Sequence, residues 1–421
     1  MYTNYFHYEN GELFGEGVRI KDIVKKVGTP VYIYVKEGLE NQYRILEEAF
    51  SGIPHLICYS VKACSNLSIL KLFKDLGAGV DVISGGELYR ALSVGINPDK
   101  IVFSGPGKTK EEIEYAIRSG IKMLNVESHQ ELELIDFVAG ELKKKAPIAI
   151  RIKPDIDPKT LPAITTGLME NKFGIAPSEI YEVYQDTRKF KNLEVVGIHM
   201  HIGSQILDIE PLIEAVERMA HFVEYLKGFG FNIVNFDIGG GLGIPYREED
   251  KRPDVNQLAQ RIKKILPKNC FLIGEYGRFL TAEAGILVTK VLYVKTNPSP
   301  FKKFVIVDAG MNDLIRPALY SHEGGGYHQI IPLENPEREM EIVDIVGPIC
   351  ESDDFFAKNR LLQKVSSGEF LAICDAGAYG FSMSSQYNSR PRPAEVLIEG
   401  KDFRIIRERE SFDDLIKGEK I

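Results

Sequence analysis

The chain has 421 residues, of which 44% are hydrophobic and 27% charged, and its formal net charge at pH 7 is -8. This length exceeds what one hydrophobic core usually organises, so we expect two domains in an ordinary globular protein. The acidic balance, with no basic run longer than residues 143–145, argues against a nucleic-acid partner and favours small molecules.

The amino-terminal stretch shows no basic segment followed by an apolar one, as a secretory signal would. No stretch of the chain reaches the roughly 18 apolar residues needed to span a bilayer. We therefore expect a cytoplasmic protein with no membrane partner. The five cysteines are scattered and never form a CxxC pair, so neither a disulfide framework nor a metal site is predicted.

Short apolar segments alternate with helix-period segments from about residue 36, after an isolated strand pattern at Val31–Val35. The alternation predicts eight strands, at residues 55–60, 79–83, 101–104, 121–126, 147–153, 195–202, 233–238 and 271–275. Eight strands, each followed by a helical pattern, are the number that a closed β/α barrel requires. A doubly wound open sheet has the same alternation and stays open as an alternative.

Beyond about residue 283 the strand-like segments are separated by Pro and Gly, with few helical patterns between them. This sequence pattern predicts a mainly antiparallel, β-sandwich-like domain. We expect residues 36–282 to form the barrel, and residues 1–35 and 283–421 to form the β domain. Within the latter, the glycine-rich and charged stretch 322–339 predicts an exposed loop.

Polar and glycine residues are concentrated where the predicted strands end. They include Lys62, Asp81, Ser84, Ser104, Glu127, Arg151, His201, Ser204, 239–241, Glu275 and Arg278. The carboxyl ends of barrel strands converge on one mouth, where barrel enzymes place their chemistry. A lysine at such an end is most often a surface residue, but its polar neighbours favour a chemical role for Lys62.

Two motifs in the chain are misleading. The segment 104–109, SGPGKT, contains the GKT of a phosphate loop, but that pattern needs glycine where Val102 stands. The cluster GGGLG at 239–243 would need glycine at Ile244 to match the dinucleotide pattern. Bare backbone at that cluster can still bind a phosphate, although a tight turn is the commoner reason for such glycines.

The chain resembles the diaminopimelate decarboxylase family, which belongs to the alanine racemase-like pyridoxal phosphate enzymes, fold type III. The resemblance runs nearly end to end, through YSVKA, DVISGGEL, HMHIGSQ, DIGGGLG, EYGR, DAGMNDLIRPALY, GPICESDD and DAGAYGFSMSSQYNSRPRPAEV. It implies an eight-stranded β/α barrel followed by a β-sandwich-like domain that the amino-terminal strand joins. It also implies the cofactor pyridoxal 5'-phosphate.

By this resemblance Lys62 forms the Schiff base with the cofactor, and Glu275 faces its pyridine nitrogen. A free lysine amine is neutral in only about one molecule in a few thousand near pH 7, so Lys62 works better as an exchanging Schiff base. A carboxylate keeps the ring nitrogen protonated, and the ring then accepts electrons when CO2 leaves. His201 would stack on the ring, while His199 is either a second contact or an interior histidine.

The remaining cofactor-binding residues are assigned by the same resemblance. Ser204, Gly240, Gly241 and Arg278 are expected to bind phosphate, the arginine by charge-assisted hydrogen bonds. The other expected contacts are Asp81, Gly277 and Tyr379. Asp81 and Glu87 resemble family residues near the Schiff base, but either could instead be a helix cap or an ion-pair residue.

Substrate choice is expected to depend on residues of the second half. Arg316, Tyr320 and Arg278 suit a distal carboxylate, and Glu351 suits the distal ammonium beside it. Tyr379 would contact cofactor and substrate. Cys350 resembles the proton donor that quenches the carbanion, with a buried apolar thiol as the alternative.

The resemblance implies release of CO2 from meso-2,6-diaminopimelate to give L-lysine, the last step of lysine biosynthesis. The rivals are a sister decarboxylase acting on carboxynorspermidine or a basic amino acid, and a non-catalytic carrier of pyridoxal phosphate. In the family, the Cys350 segment of one chain completes the barrel mouth of another, which implies an obligate homodimer with shared active sites. One departure is Tyr276, where the family usually has proline, and we expect it to weaken the site modestly at most.

Overall fold

The computed structural model describes residues 5–321 and 325–421. It divides into two compact units. The barrel unit comprises Gln42–Ile244 and Lys251–Phe279, and the β unit comprises Met1–Asn41, Pro245–Asp250 and Leu280–Ile421. The division of the chain into domains at residues 36 and 282 stays a prediction, and its residues 1–4 and 322–324 lie outside the described ones.

The barrel unit contains a closed barrel of eight parallel strands, in which each pairs with the next along the chain and the last pairs with the first. The strands are His55–Ser60, Gly79–Val82, Ile101–Phe103, Met123–Val126, Ala146–Arg151, Leu193–His199, Asn235–Asp237 and Phe271–Tyr276. The predicted barrel is confirmed, and the open doubly wound sheet is excluded. Predicted and observed strand ends differ because apolar periodicity does not mark where backbone pairing stops.

Helices lie between the barrel strands, as the alternation predicts. They are Leu67–Asp75, Gly85–Ser93, Lys110–Ser119, His129–Glu141, Ile180–Thr187, Glu210–Gly228 and Val255–Ile265, while Lys36–Phe50 precedes the first barrel strand and Arg278–Thr281 follows the last. Several begin at a side chain that accepts a hydrogen bond from a backbone N–H of the first turn. These capping residues are Asn66, Ser84, Thr109, Ser128 and Asp254. Across the described residues, no helix is both long and apolar enough to cross a membrane.

Short 3-10 turns interrupt the connections of both units. They are Val61–Ala63, Pro98–Lys100, Pro162–Ile164, Pro177–Glu179, Phe381–Met383 and Tyr387–Ser389. Two of them carry or contact predicted functional residues: Val61–Ala63 contains Lys62, and Tyr387–Ser389 contacts the Cys350 segment.

The barrel interior changes character along its axis. A buried apolar cluster is formed by Leu56, Cys58, Val102, Met123, Ala149 and Ile273. Towards the carboxyl ends of the strands the buried side chains are polar or charged, among them Asp81, Asn125, His199 and Asp237. Because apolar packing stabilises the rest of the interior, the polar end can carry catalytic or binding side chains.

The β unit is built on a mixed sheet whose strands pair mainly antiparallel. The described strands of this unit are Phe6–Glu9, Glu12–Gly15, Val18–Arg19, Val31–Val35, Gly285–Pro298, Phe301–Val307, Ile330–Pro332, Met340–Val346, Phe355–Gln363, Phe370–Ile373, Ala394–Glu399 and Asp402–Arg407. Val31–Val35 pairs with Gly285–Pro298 and with Ala394–Glu399, so the amino-terminal strand joins the second half of the chain as expected. The helices of the unit are Ile20–Val27, Arg316–Leu319 and Phe412–Leu415.

The prediction of an exposed loop over residues 322–339 is wrong for the centre of that segment. Ile330–Pro332 is a buried strand paired with Phe370–Ile373. Three apolar residues are too few to show an alternating pattern, and the charged residues that follow them dominate the composition of the segment.

Candidate active site

Lys62 lies at the carboxyl end of the first barrel strand, in the turn Val61–Ala63. Its Nζ donates a hydrogen bond to Oδ2 of Asp81, on the neighbouring strand, at 3.0 Å. Asp81 is fully buried. Burial and the charge of Glu275 raise the pKa of Asp81, and the ammonium of Lys62 opposes them. The lysine is therefore held at the mouth by a carboxylate that needs a cationic partner.

Glu275 lies near the end of the last barrel strand and is buried. Its Oε1 accepts hydrogen bonds from Ser104 Oγ at 3.3 Å and Asn125 Nδ2 at 3.4 Å, and its Oε2 lies 3.3 Å from His199 Nε2. Burial acts to raise the pKa of Glu275, but His199 and Lys62 outweigh it and lower that pKa to about 2. This carboxylate is ionised at neutral pH and can face a cationic ring nitrogen.

His201 lies in the loop after its strand, because that strand ends at His199. The backbone N–H of Gly240 donates to His201 Nδ1 at 3.2 Å, which leaves the ring proton on Nε2. Burial, and then the charges of Arg151 and Lys62, hold the pKa of His201 well below its ordinary value. The ring is a neutral imidazole in one tautomer, suited to stacking on an aromatic face.

A buried cation lies beside bare backbone at the predicted phosphate site. Arg278 is 4% exposed, and its Nη2 donates to Ser204 Oγ at 3.3 Å. A Cβ on Gly240 would lie 1.6 Å from the carbonyl oxygen of Glu275, and one on Gly241, whose φ is +108°, would lie 2.3 Å from that of Gly203. Both positions therefore require glycine. A guanidinium, a hydroxyl and side-chain-free backbone form a donor set that fits a phosphate group.

Two further acidic residues near the mouth have local structural contacts. Glu87 Oε2 accepts from the N–H of Ile83 at 2.8 Å, so it ties the residue before the Ser84 cap to the first turn of the helix Gly85–Ser93. Burial raises the pKa of Glu87 to about 7. Glu127 Oε1 accepts from Arg151 Nη1 at 2.7 Å and ties two strand ends together.

The lysine of the GKT segment, Lys108, is hydrogen-bonded to groups of the protein itself. Lys108 Nζ donates at 2.7 Å to each of the carbonyl oxygens of Gly105 and Asn125 and to Glu131 Oε1. The side chain of Lys108 is only 1% exposed. This lysine is therefore occupied by protein groups, in agreement with the rejection of a phosphate loop.

Within the β unit, Arg316 opens the helix Arg316–Leu319 and is buried. Its guanidinium carbon lies 5.2 Å from the ring centre of Tyr246 and 5.3 Å from that of Tyr320. Tyr379 adopts a left-handed backbone conformation with φ +56°. The two aromatic faces shield the guanidinium of Arg316 from water and orient it.

The Cys350 segment, also in the β unit, is exposed at Cys350 and Glu351. The N–H of Cys350 donates to Asn388 Oδ1 at 3.0 Å, and Tyr387 Oη donates to Glu351 Oε2 at 2.8 Å. The alternative interpretation of Cys350 as a buried apolar thiol is therefore wrong. Its sulfur is accessible on a segment whose backbone is fixed.

A buried carboxylate anchors the same segment. Asp354 accepts from the N–H of Ile349 at 2.6 Å and from that of Met311 at 2.7 Å. Two backbone donors from different parts of the chain fix the entry to Cys350, since each bond to a carboxylate is stronger than a neutral one.

Two polar residues of the barrel interior were missed by sequence reasoning. Asn125 donates to Glu275 and to Ser104, and Asp237 lies fully buried on the strand beside that of Glu275. Asn125 interrupts the otherwise apolar strand MLNV, and Asp237 ends the buried strand NFD. A polar residue inside a buried strand was the available signal.

Comparisons with known proteins agree with this geometry. A model of the pyridoxal-dependent decarboxylases, pyridoxal binding domain, matches residues 36–285. A diaminopimelate decarboxylase of Aquifex aeolicus is 49% identical over 417 residues, which cover 99% of this chain and 97% of the relative. That of Pseudomonas aeruginosa is 44% identical and covers 99% of each chain.

The chain belongs to the diaminopimelate decarboxylase family. The solved diaminopimelate decarboxylase of M. jannaschii, in complex with L-lysine, superposes with a TM-score of 0.94 at 40% identity and covers 100% of this chain and 99% of its own. That of Helicobacter pylori, also complexed with L-lysine, has a TM-score of 0.90 at 45% identity, covering 94% and 98%. As a member of this family the chain is a pyridoxal phosphate-dependent decarboxylase, and the buried phosphate-type donor set and ionised Glu275 fit that cofactor.

Proposed function

We propose that this chain decarboxylates meso-2,6-diaminopimelate to L-lysine and CO2, as the last step of lysine biosynthesis. The observation that carries the proposal is the full-length match to diaminopimelate decarboxylases at up to 49% identity. The complexes of two such relatives with L-lysine support the same product.

The barrel unit supplies the residues that would hold the cofactor. Lys62 would carry it, with Asp81 as the partner of the amine, and Glu275 would hold a proton on the pyridine nitrogen. His201 would lie against the ring, the phosphate would be bound by Ser204, Gly240, Gly241 and Arg278, and Gly277 would be a further contact to the cofactor. When bound, pyridoxal phosphate supplies an electron sink for the pair left behind by CO2.

The β unit supplies the residues that would select the substrate. Arg316, held against Tyr320, would pair with the distal carboxylate together with Arg278, while Glu351 would accept from the distal ammonium. Tyr379 would contact both cofactor and substrate. Lysine and ornithine lack the distal carboxylate, so binding either would leave the buried guanidinium of Arg316 without its anion.

Cys350 would deliver the proton that replaces CO2 on the substrate carbon. Its exposure in one chain supports a second part of the proposal, a homodimer in which Cys350 and Glu351 of one protomer complete the site of the other. A proton donor that works on a carbanion must be shielded from bulk water, and a second copy of the chain would provide that shield.

The reaction is tested by incubating the holoenzyme with meso-diaminopimelate, carboxynorspermidine, L-ornithine or L-lysine, and measuring CO2 and the amine product. We expect L-lysine and CO2 from diaminopimelate and far slower release from the others. Faster release from any of the other three would overturn the substrate assignment. Borohydride reduction followed by peptide mapping should place the cofactor mass on Lys62, and the Lys62→Ala variant should retain none.

The distal-carboxylate assignment is tested with Arg316→Ala. We expect KM for diaminopimelate to rise at least about tenfold, since a hydrogen-bonded ion pair to the substrate is lost. Arg404→Ala is the matched control, because Arg404 pairs with Glu399 on the sheet edge. An unchanged KM in Arg316→Ala would refute the assignment.

We also propose that the protein is cytoplasmic. The described cysteines are all free, four of them buried, as is usual in a reducing compartment. Cell fractionation followed by detection of the chain tests this, and recovery in a secreted or periplasmic fraction would contradict it.

A further inference from the structure

Asp237 presents an unsatisfied oxygen deep in the barrel. Its side chain is 0% exposed, and its Oδ1 accepts from the N–H of Gly239 at 2.9 Å. Its Oδ2 has no hydrogen-bond partner among the described residues. An ionised carboxylate with a buried oxygen that accepts nothing is strongly disfavoured, whereas a protonated one presents a neutral O–H there.

A second buried carboxylate, that of Glu275, lies near Asp237. One nitrogen or oxygen atom of each of His199, Asp237 and Glu275 lies within 4.8 Å of the other two. Two buried carboxylates this near each other cannot easily both ionise, so they share one negative charge. Burial and the neighbouring Glu275 raise the pKa of Asp237 well above its ordinary value, while that of Glu275 is lowered to about 2. The proton therefore belongs on Asp237 and the charge on Glu275.

His199 completes the arrangement from the other side. Its Nε2 lies 3.3 Å from Glu275 Oε2, and its Nδ1 is buried with no hydrogen-bond partner among the described residues. With a proton on Nε2, the ring donates a hydrogen bond to Glu275. The other titratable groups facing this cluster are Cys58, Lys62, Asp81, Glu127, Arg151, His201 and Tyr276.

We infer that Asp237 and His199 are positioning residues: the protonated carboxyl of Asp237 and the Nε2–H of His199, both donating, keep Glu275 ionised and fixed in orientation for the ring nitrogen of the cofactor. The inference rests on the proposed role of Glu275. It gives His199 a function that the sequence left open. His199 acts through Glu275 and does not need to touch the cofactor.

The protonation of Asp237 is tested on the cofactor-free protein by infrared difference spectroscopy at neutral pH. Wild type minus Asp237→Asn should show loss of a protonated-carboxyl C=O band and no loss of carboxylate bands. Loss of a carboxylate band instead would overturn the inference. If Asp237→Asn fails to fold, carboxyl NMR of 13C-aspartate-labelled wild type decides the question, because Asp237 should show a protonated-acid shift that persists at neutral pH.

The positioning role is tested by cofactor affinity, measured by fluorescence quenching with pyridoxal phosphate between pH 6 and 9. Asp237→Asn keeps a neutral donor of the same shape, so its Kd should stay within about threefold of wild type, whereas Asp237→Leu removes the donor and should weaken binding at least about tenfold. His199→Phe should weaken it by a similar factor, and His199→Gln, which can still donate, should recover part of the loss. Equal effects of Phe and Gln at position 199, or of Asn and Leu at position 237, would overturn the inference.

These outcomes are separable from the proposed function. A wild type that forms no lysine from diaminopimelate would refute the reaction, while the infrared band and the affinities would still decide the state of Asp237 and the role of His199.

Discussion

Two buried tyrosines on neighbouring barrel strands show how single polar atoms set local stability. Tyr59 and Tyr276 are directly paired in register, and both are buried. Tyr59 Oη donates to the carbonyl oxygen of Cys64 at 2.8 Å, whereas Tyr276 Oη has no hydrogen-bond partner among the described residues. Tyr276 occupies the position where the family usually has proline, and a Cβ on Gly274 would lie 2.7 Å from its ring. Its ring thus packs where proline would leave space.

We therefore expect opposite results from removing the two hydroxyl groups. Tyr59→Phe should destabilise the protein by about 1–3 kcal/mol, because a buried carbonyl loses its donor. Tyr276→Phe should leave stability unchanged or raise it, since no hydrogen bond is lost. The measurement is the thermal midpoint of each holoenzyme by calorimetry. A midpoint lowered more by Tyr276→Phe than by Tyr59→Phe would contradict this account.

At the level of single residues, the sequence predicted those whose position is set by a strand end, such as Lys62 and Glu275. It did not predict Asp237 or Asn125, whose importance depends on which strands become neighbours in the closed barrel. Glu275 meets Asn125 across 150 positions of the chain. Contacts of that kind follow from barrel closure and cannot be inferred from local periodicity.

Among the elements, the connection from the strand Ile101–Phe103 to the helix Lys110–Ser119 depends on one buried ion pair. Lys108 satisfies two backbone carbonyls and Glu131, so the lysine joins this connection to the next strand and helix. Lys108→Met should destabilise the protein by about 3–5 kcal/mol, because Glu131 is left charged and unpaired in the interior. Calorimetry of the cofactor-free protein measures this loss.

Lys110→Met is the matched control for that substitution. Lys110 pairs with Glu141 at 2.9 Å, but both side chains are about half exposed, so its loss should lower stability far less than the loss of Lys108. Cofactor affinity distinguishes the two interpretations of the GKT segment. A Lys108→Met variant of normal stability that lost phosphate affinity would restore the phosphate-loop interpretation rejected above.

The elements themselves were largely predictable, because eight apolar segments separated by helical patterns admit few arrangements. The exceptions have local causes. The strand Ile330–Pro332 is too short to show a period, and the strand Leu193–His199 ends before His201 because the chain turns there towards Gly240.

At the scale of the whole molecule, the exposed Cys350 and the half-buried Lys62 belong to different compact units. The proposed homodimer pairs Lys62 of one protomer with Cys350 of the other, and this makes a quantitative prediction about mixed dimers. Lys62→Ala and Cys350→Ala proteins should each be nearly inactive. If the two residues of a site come from different protomers, a mixed dimer has one intact site and one that lacks both residues.

Random mixing of equal amounts of the two variants gives about half mixed dimers, so activity should recover to about a quarter of wild type. If both residues came from the same protomer, every site in every dimer would lack one of them, and mixing would restore nothing. The experiment co-expresses differently tagged chains, purifies the mixed species and measures lysine formation per dimer, which should reach about half of wild type in the purified mixed dimers. The control mixes Arg404→Ala chains with Lys62→Ala chains. Their mixed dimers keep one intact site under either arrangement, so any further loss of activity comes from mixing and assembly alone. Recovery near zero, with mixed dimers present and the control active, would refute the shared site.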